Sequence, residues 1–405
     1  MNAGAKAPHL AYGRPCIEED DIAAVAKVLR SGWLTTGPLV EQFETALAAQ
    51  VGASHAIVCN SGTAALHLAV MALGLDDRST VIVPAITFAA TANAARYAGA
   101  RVVFCDVDPH TGLMTPETLE AALARVPRPD AVFPVHLNGQ CVALPDIHEI
   151  AERHRLAIVE DACHALGTRY QDGAGWRRVG ESTHSDYQCF SFHPVKTVAM
   201  GEGGAVTTCN ATAARRMRNL RSHGIERSHD HFEEHGQAVS QAGEPNAWYY
   251  ELQELGFNYR ASDIQCALGL SQLAKLARFK DARARLVEAY DARLRGLAPW
   301  VRPIGRVGAC DPAWHLYVAQ IDFAALGTTR ALVMQKLASL GIGTQVHYLP
   351  VPYHPYYRSL DAQAPEGMYP GADAYYAKCL SLPLYVGMTP GDVARVVDAL
   401  QTILP

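Results

Sequence analysis

Short apolar runs recur through the first half of the chain, separated by segments in which apolar residues have helical spacing. Runs of strand length cover residues 56–59, 80–83, 101–105, 131–135, 156–159, 188–192 and 205–208. Helical spacing is clearest over residues 18–29, 39–47, 64–73, 89–98, 116–124 and 211–220. The runs lack the polar alternation of a half-exposed sheet, so they favour a sheet that helices cover on both faces. The pattern therefore predicts an α/β fold with a mostly parallel central sheet flanked by helices.

The last third of the chain follows a different pattern. A long helical run covers residues 261–297, and two predicted strands, 316–323 and 343–348, flank a predicted helix at 330–340. We therefore predict a large domain over residues 1–270, including the N-terminal helices, and a smaller α+β C-terminal domain over residues 271–405. A length of 405 residues suits two domains. The polar stretch 228–241 is predicted to be a surface loop, and the sequence assigns it no role.

Composition narrows the possible classes of function. The formal net charge is −5 and no long run of Lys or Arg occurs, so the chain lacks the basic surface that nucleic-acid binding needs. No uninterrupted apolar stretch is long enough to cross a bilayer, and the first residues lack the apolar core of a signal peptide. The ten cysteines are scattered without a CxxC pair, as in reduced proteins. We expect a cytoplasmic protein with no nucleic-acid and no membrane partner.

Polar and aromatic residues follow several of the predicted strands, where a parallel sheet binds its ligands. Phe88 follows one strand, residues 136–140 follow another, and Asp161 follows a third, with His164 three residues further on. A carboxylate at a strand end can hold a buried cation such as a protonated pyridine nitrogen. A helix N-cap and a metal site are the alternatives for Asp161, and the metal ranks last because no convincing ligand set lies nearby.

A helix start after the first predicted strand offers an anion site. Ser61, Gly62 and Thr63 lead into an apolar helix, and they combine hydroxyl groups with the free N–H groups of a helix N-terminus. The helix dipole adds to the attraction for a phosphate. An ordinary Ser or Thr N-cap is the more common reason for such residues, so the phosphate reading depends on the other candidates.

Lys196 is the candidate nucleophile. It lies in SFHPVKTVAMGEGG, residues 191–204, between an apolar strand and a cluster of glycines that permit close backbone approach. A lysine in a desolvated pocket is more often neutral, and a neutral amine can attack an aldehyde to form an imine. The alternative is a solvated surface lysine, which is far more common.

Taken together, these candidates match the needs of one cofactor, pyridoxal 5'-phosphate. Its phosphate needs N–H and O–H donors, which the helix start supplies, and its pyridine nitrogen needs an acidic partner such as Asp161. Its ring needs a stacking surface such as Phe88, and its aldehyde needs an amine such as Lys196. Each signal is weak alone, and their number and order make the set specific.

The sequence also resembles the DegT/DnrJ/EryC/StrS sugar-nucleotide aminotransferases over almost the whole chain. The resemblance depends on NSGTAALHLA from Asn60, PVHLNGQ from Pro134, EDACHALG from Glu160, SFHPVKTVAMGEGG from Ser191, RSHGI from Arg221 and LGFNYRASDIQCALGLSQL from Leu255. It implies the fold of type I pyridoxal-phosphate transferases and a homodimer with a shared active site.

The resemblance also implies roles for individual residues. Lys196 would bind the cofactor covalently and Asp161 would pair with its pyridine nitrogen, as the catalytic pair. The remaining cofactor contacts would be Phe88 and His164 at the ring, Gly62, Thr63 and Ser191 at the phosphate, and Asn258 from the partner subunit. The expected residues near the sugar nucleotide are Thr36, His136, Gln140, His315 and His347.

The implied reaction moves the amine of L-glutamate to C4 of a UDP-linked keto sugar. WYYE at Trp248 and QVHYLPVPYHPYY at Gln345 most resemble the branch that converts UDP-2-acetamido-2,6-dideoxy-β-L-arabino-hex-4-ulose to UDP-4-amino-4,6-dideoxy-N-acetyl-β-L-altrosamine for pseudaminic acid. Transfer at C3, or to another nucleotide sugar, is the nearest alternative. A non-catalytic, cofactor-binding regulator is the alternative of another class, and the chain shows no effector domain for it.

Overall fold

The computed structural model describes residues 8–234, 236–360 and 367–404. Within these ranges the α-helices are α1 (Glu19–Ser31), α2 (Pro38–Val51), α3 (Gly62–Leu73), α4 (Ala89–Tyr97), α5 (Pro116–Leu123), α6 (Leu144–His154), α7 (Ala211–Arg221), α8 (Asp263–Leu273), α9 (Leu276–Leu294), α10 (Arg330–Ser339), α11 (Pro355–Leu360), α12 (Pro370–Lys378) and α13 (Pro390–Ile403). Short 3-10 helices lie at Leu137–Gly139, His229–His231, Arg295–Leu297 and Val351–Tyr353. No helix of the described chain is both long and apolar enough to cross a membrane.

The strands form one large sheet and three small ones. They are β1 (His55–Cys59), β2 (Thr80–Pro84), β3 (Arg101–Cys105), β4 (Ala131–Val132), β5 (Ala157–Asp161), β6 (Arg169–Asp172), β7 (Gly175–Arg178), β8 (Tyr187–Ser191), β9 (Gly204–Thr208), β10 (Ile225–Glu226), β11 (Glu251–Leu252), β12 (Val301–Pro303), β13 (Cys310–Asp311), β14 (Tyr317–Ile321) and β15 (Cys379–Leu382).

The large sheet has the strand order β1-β9-β8-β5-β4-β2-β3. Strand β9 runs antiparallel to both of its neighbours, and the other pairs are parallel. The prediction of a mostly parallel sheet flanked by helices is therefore confirmed. The strands that carry the candidate site residues all end at the same edge of this sheet, because parallel strands share a direction.

The helices bury the large sheet on both faces. Helix α3 lies against β8 and β9, and residues from Ala64 to Val70 along it are buried. The side chains of Phe43, Phe190 and Phe192 are fully buried in the same core, and the Phe43 and Phe192 rings meet edge to face at 5.3 Å between centroids. Apolar burial of this extent is the main favourable contribution to folding.

A second hydrophobic core lies under the antiparallel sheet β12-β14-β15. Helices α9, α10 and α13 supply its other side chains, for example Tyr290, Val333 and Val396. Leu10 joins this core and pairs with Ile342 in an isolated β-bridge. Leu10 thus packs among C-terminal elements, whereas the predicted boundary between residues 270 and 271 assigns it to the large domain.

Two predicted strands differ from the structure. The run at 131–135 forms continuous ladder pairs only over Ala131–Val132, because Pro134 has no N–H to donate to a neighbouring strand, and Val135 pairs again only in an isolated bridge with Asp161. The predicted strand at 343–348 is wrong, since only Gln345 pairs there, with Ser381. The residues that follow Gln345 turn into a cavity instead of continuing along the sheet.

The helical run at 261–297 is divided between α8 and α9. Lys275 lies at the junction, and its ammonium pairs with Asp20 and Asp21 of α1. The polar stretch 228–241 includes the short 3-10 helix His229–His231 and an isolated bridge between Val239 and Pro245. Residue 235, within that stretch, lies outside the described residues.

Candidate active site

A cavity of about 1090 Å³ opens at the carboxyl-terminal edge of the large sheet. Its walls come from the ends of β5 and β8, the start of α3, the segment between β2 and α4, and the segments before β14 and after Gly343. The predicted site residues that line it are Gly62, Thr63, Phe88, Asp161, His164, Ser191, Lys196, His315 and His347. Residues from distant parts of the sequence therefore meet in one place.

The start of α3 has the features of an anion site. Ser61 is the N-cap, and its Oγ accepts a hydrogen bond from the Ala64 N–H at 3.1 Å. The capping alternative is thus correct for Ser61. Among the described residues, no acceptor pairs with the N–H groups of Gly62 or Thr63, so both donors remain available to a phosphate at the positive end of the helix.

Glycine is required at two points of this turn. A Cβ on Gly62 would lie 2.8 Å from the Ser191 Cβ and 3.3 Å from the Cys163 Sγ. A Cβ on Gly204 would lie 2.1 Å from the Ser61 carbonyl oxygen. The absence of side chains lets β8 and β9 approach the helix start, so the Ser191 hydroxyl lies beside the free N–H groups.

Lys196 projects from a tight turn after β8. Its backbone N–H donates to the His193 carbonyl at 2.8 Å, and Gly201, with φ of 81°, reverses the chain toward β9. Burial lowers the pKa of the Lys196 ammonium from its ordinary value, and the nearby Cys163 and Asp161 partly oppose this shift. The amine is therefore more readily neutral than a surface lysine.

Asp161 lies at the end of β5 and is 6% exposed. Its Oδ2 accepts a hydrogen bond from the Thr91 Oγ at 2.6 Å, and its Oδ1 accepts one from the Cys163 N–H at 3.1 Å. Thr91 in turn contacts Thr87 Oγ at 2.7 Å. These hydrogen bonds hold the carboxylate in a fixed position at the strand end, where it could pair with a pyridinium nitrogen.

Aromatic side chains form the walls on either side of this carboxylate. Phe88 is more than half exposed in the cavity, and its ring centroid lies 6.0 Å from that of Tyr348. His164 is buried, with its Nε2 at 3.3 Å from the Tyr348 hydroxyl. The Asn138 N–H donates to His164 Nδ1 at 3.4 Å, so the ring proton of neutral His164 lies on Nε2.

Three buried imidazoles of the cavity, those of His164, His315 and His347, are held in their neutral form. Burial lowers the pKa of His164 and His315 well below the ordinary histidine value, and it lowers the pKa of His347 to about 3. His347 Nδ1 lies 2.8 Å from the Ser381 hydroxyl. These side chains therefore present hydrogen-bonding groups without positive charge.

Four predicted site residues lie outside the cavity lining. His136 is fully buried with its Nε2 at 2.6 Å from Glu160 Oε2, and Gln140 bonds to the backbone of Gly305 and Val307. Both expectations of substrate contact are corrected, because these side chains point into the interior and use their polar atoms there.

Thr36 and Asn258 occupy other surfaces of the same chain. Thr36 lines a separate pocket of about 580 Å³ together with Arg218, Arg221 and Arg260. Asn258 is exposed, and its carbonyl accepts a hydrogen bond from the Asn60 side chain at 3.4 Å. Neither side chain reaches the cavity of its own chain.

Several lining residues were not predicted from the sequence. Tyr348 is one of them, although it directly follows His347, which was predicted. Other polar lining residues that were not predicted include Tyr12, Asn60, His193, Glu202, Gln265, Gln345 and His354. Thr91, in the first turn of α4, was also not predicted; it is buried behind the lining and bonds to Asp161. His354 lies in the QVHYLPVPYHPYY motif, so that motif was a usable signal for it.

The residues present fit pyridoxal phosphate. The helix start and the Ser191 hydroxyl offer donors that lack protein acceptors, Asp161 is placed to pair with a ring nitrogen, and Lys196 offers an amine. Within the described residues, no group of three or more His, Cys, Asp or Glu side chains is placed to hold a metal ion.

The sequence matches the DegT/DnrJ/EryC1/StrS aminotransferase family over residues 15–401. One relative is the spore coat polysaccharide biosynthesis protein SpsC of Bacillus subtilis (strain 168), which is 39% identical over 400 residues, 98% of this chain and 97% of SpsC.

Solved structures with the same fold include two sugar aminotransferases. Helicobacter pylori PseC, an aminotransferase involved in the biosynthesis of pseudoaminic acid, has a TM-score of 0.86 at 29% identity, covering 97% of this chain and 98% of PseC. The putative sugar aminotransferase Spr1654 from Streptococcus pneumoniae has a TM-score of 0.85 at 27% identity in both its PLP form and its PMP form. The PLP-form match covers 97% of this chain and 98% of Spr1654.

Proposed function

This chain belongs to the DegT/DnrJ/EryC1/StrS aminotransferase family, and from that premise we propose that it transfers the amine of L-glutamate to C4 of a UDP-linked 4-keto sugar. The chain is a sugar aminotransferase, and its cofactor is pyridoxal phosphate. The observation that carries the proposal is the meeting of Lys196, Asp161 and the open helix start of α3 in one cavity.

Pyridoxal phosphate, when bound, supplies an electron-withdrawing ring and a carbon that carries the amine from donor to acceptor. Gly62, Thr63 and Ser191 would hold its phosphate through N–H and O–H groups. Asp161 would keep its ring nitrogen protonated, and Thr91 would hold the Asp161 carboxylate in place. Phe88 and His164 would confine the ring between aromatic surfaces.

Lys196 has two tasks in this proposal. Its amine would bind the cofactor covalently between reactions, and once released it would accept and return the proton at the carbon that loses or gains nitrogen. Desolvation favours the neutral amine, which is the form that can accept that proton.

The acceptor sugar would lie on the side of the cavity where the imidazoles meet. Neutral His315 and His347 suit hydroxyl, carbonyl and acetamido groups better than carboxylates, since they bring no positive charge. The likeness to PseC supports an acceptor from the biosynthesis of pseudoaminic acid, and the likeness to SpsC supports a role in polysaccharide biosynthesis. We specify the acceptor as UDP-2-acetamido-2,6-dideoxy-β-L-arabino-hex-4-ulose and the product as UDP-4-amino-4,6-dideoxy-N-acetyl-β-L-altrosamine.

We further propose a homodimer in which each active site is shared. A nucleotide sugar carries two phosphates in addition to that of the cofactor, yet Lys196 is the single Lys or Arg lining the cavity within the described part of the chain. Asn258 is exposed and Arg260 is half-buried in the segment that precedes α8. Large apolar side chains near that region are also exposed, as expected for a face that a second copy covers: Ile22, Leu29, Trp33, Trp248, Tyr250 and Leu255.

The test compares three acceptors with glutamate as the donor. We expect kcat/KM for the L-arabino ketone to exceed that for its D-xylo epimer and for dTDP-4-keto-6-deoxyglucose by about a hundredfold or more, because a misplaced hydroxyl leaves buried polar groups unpaired. Preference for either competitor would contradict the proposed acceptor and leave the aminotransferase chemistry in place. Transfer to C3 of any acceptor would contradict the proposed position.

A further inference from the structure

Arg283 is a buried cation without a carboxylate partner among the described residues. It lies in α9, is 2% exposed, and burial lowers its pKa to about 10. Its Nη1 donates to the carbonyls of His315 at 3.1 Å, Leu384 at 3.0 Å and Trp314 at 3.5 Å, while its Nε has no partner. A buried, unpaired charge is costly, so its retention calls for a reason beyond packing.

The carbonyls that Arg283 binds belong to the segment that brings His315 into the cavity. The His315 N–H donates to the Asn138 carbonyl at 2.9 Å, so the backbone is held on both sides of this residue. Thr168 adds a buried link nearby, because its hydroxyl donates to the Gly139 carbonyl at 2.7 Å and accepts from the Ala313 N–H at 2.9 Å.

The approach of these two segments is too close for an ordinary side chain. A Cβ on Gly139, where φ is 97°, would lie 2.2 Å from the Ala313 carbonyl oxygen. The segment before β14 is thus fixed by backbone contact, by Thr168 and by Arg283. Fixing this segment limits the positions that the His315 ring can adopt.

The His315 ring itself has capacity left for a ligand. It is 5% exposed and lines the cavity, and its centroid lies 4.3 Å from that of His164. Its Nδ1 has no hydrogen-bond partner among the described residues, although buried polar atoms are nearly always paired. The protein therefore leaves part of the hydrogen-bonding capacity of this ring unused.

We propose that His315 binds a hydroxyl or acetamido group of the acceptor sugar, and that Arg283 is the positioning residue that fixes the His315 ring for this contact. The inference rests on the proposed function, since it assigns the contact to the sugar. A neutral imidazole brings no positive charge to the glutamate carboxylates, so we expect the donor half of the reaction to depend less on this contact.

The test is a double-mutant cycle on the holoenzyme. His315→Phe keeps an aromatic ring and removes both nitrogens, and Arg283→Met keeps an unbranched apolar stem and removes the guanidinium. Arg285→Met is the matched control, because Arg285 lies on the same helix and is exposed. Arg283→Lys keeps the charge and gives a second variant if Arg283→Met folds poorly.

We expect each single variant to lower kcat/KM for the keto sugar by about tenfold or more, and Arg283→Met to add less than about twofold when His315 is already Phe. The glutamate half-reaction, followed by the absorption change of the cofactor, should stay within about twofold of wild type in every variant. Arg285→Met should match wild type in both assays.

For the same set of variants, calorimetry measures the Kd of UDP-N-acetylglucosamine, a nucleotide sugar that cannot react. Its Kd should rise about tenfold in each single variant and not rise further in the double variant. Independent losses, or an equal loss in the glutamate half-reaction, would show that Arg283 has a purely structural role and would overturn the inference. Wild-type protein that binds this probe but aminates no keto sugar would contradict the proposed function alone. Failure of wild type to bind the probe would overturn the inference.

Discussion

At the scale of single residues, the charge state of Lys196 follows from where its amine lies. Burial lowers its pKa from the ordinary value of 10.5, and Cys163 and Asp161 oppose the shift more weakly. Because the neutral amine reacts with the cofactor, we expect the rate of cofactor attachment to apoenzyme to rise with pH. Its midpoint should fall below 10.5 when the rate is followed by absorption in a stopped-flow instrument. A midpoint at or above that value would contradict desolvation of the amine.

Thr91 was not predicted from the sequence, yet it donates the shortest hydrogen bond to Asp161, at 2.6 Å. Thr91→Val keeps the shape of the side chain and removes this donor. We expect kcat to fall by about tenfold, because a hydrogen bond to a charged group contributes roughly 1.5–3 kcal/mol. Steady-state kinetics and cofactor content measure the effect.

The control for that variant is Thr402→Val. The Thr402 hydroxyl is exposed and bonds only within α13, to the Asp398 carbonyl. It should leave kcat unchanged. An unchanged kcat in Thr91→Val would mean that Asp161 does not depend on this donor.

The sequence predicted the site residues that a local pattern places, and it missed those that depend on contacts with distant segments. Asp161 and Lys196 stand at strand ends, so a local pattern was enough to place them at the ligand-binding edge. His136 also follows a strand, but its side chain pairs with Glu160 inside the protein, which is a tertiary contact. Tyr348 lines the cavity and Thr91 bonds to Asp161 because distant segments pack together, and local sequence does not reveal that packing.

At the scale of elements, the start of α3 requires glycine at position 62, because a larger side chain there would contact β8. Ala is a better helix former than Gly by roughly 1 kcal/mol, so propensity alone would favour Gly62→Ala. The added Cβ, however, would lie 2.8 Å from the Ser191 Cβ, which requires β8 and the helix to separate. We expect the affinity for pyridoxal phosphate to fall by about tenfold or more, measured by titration of apoenzyme.

Gly173→Ala is the matched control for this substitution. A Cβ at Gly173 meets nothing within 4 Å, and its backbone does not have the positive φ that strains other residues. It should bind the cofactor as wild type does. Equal affinities in Gly62→Ala and wild type would mean that the helix start does not hold the phosphate.

Elements were predicted best where one pattern held without interruption. The strand Arg101–Cys105 has the predicted bounds, and the other strands of the large sheet except β4 differ by one or two residues at one or both ends. Strand β4 is shorter than predicted because Pro134 interrupts the ladder. The apolar run after Gly343 has the composition of a strand, but its residues line the cavity. Composition alone does not distinguish a strand from a cavity wall.

At the scale of the whole molecule, shared sites predict complementation between inactive chains. Lys196→Ala lacks the amine and an Asn258→Ala chain lacks the group proposed to reach the partner's cofactor. A hybrid dimer has one site with both residues intact, so an equal mixture should recover about a quarter of wild-type activity. The measurement is turnover after subunit exchange, with exchange confirmed by tagged chains. No gain over the parent variants despite exchange would contradict a shared site.

The arrangement of the whole chain was partly accessible from sequence. The β/α alternation predicted the large sheet, because parallel strands require crossover helices. The antiparallel direction of β9 was not predicted, since strand direction within a sheet depends on the connections that the fold selects. The division into two domains between residues 270 and 271 stays a prediction. The packing of Leu10 among C-terminal elements is a long-range contact that no local sequence pattern predicts.

The central claim, that this aminotransferase delivers the glutamate amine to C4 of the UDP-linked L-arabino keto sugar, is tested most directly by following the nitrogen. Holoenzyme is incubated with glutamate that carries heavy nitrogen and with UDP-2-acetamido-2,6-dideoxy-β-L-arabino-hex-4-ulose, and the product is examined by mass spectrometry and NMR. We predict heavy nitrogen at C4 of a UDP-linked 4-amino sugar, and none when Lys196→Ala replaces wild type. Heavy nitrogen at another carbon, or an unchanged keto sugar with active holoenzyme, would contradict the claim.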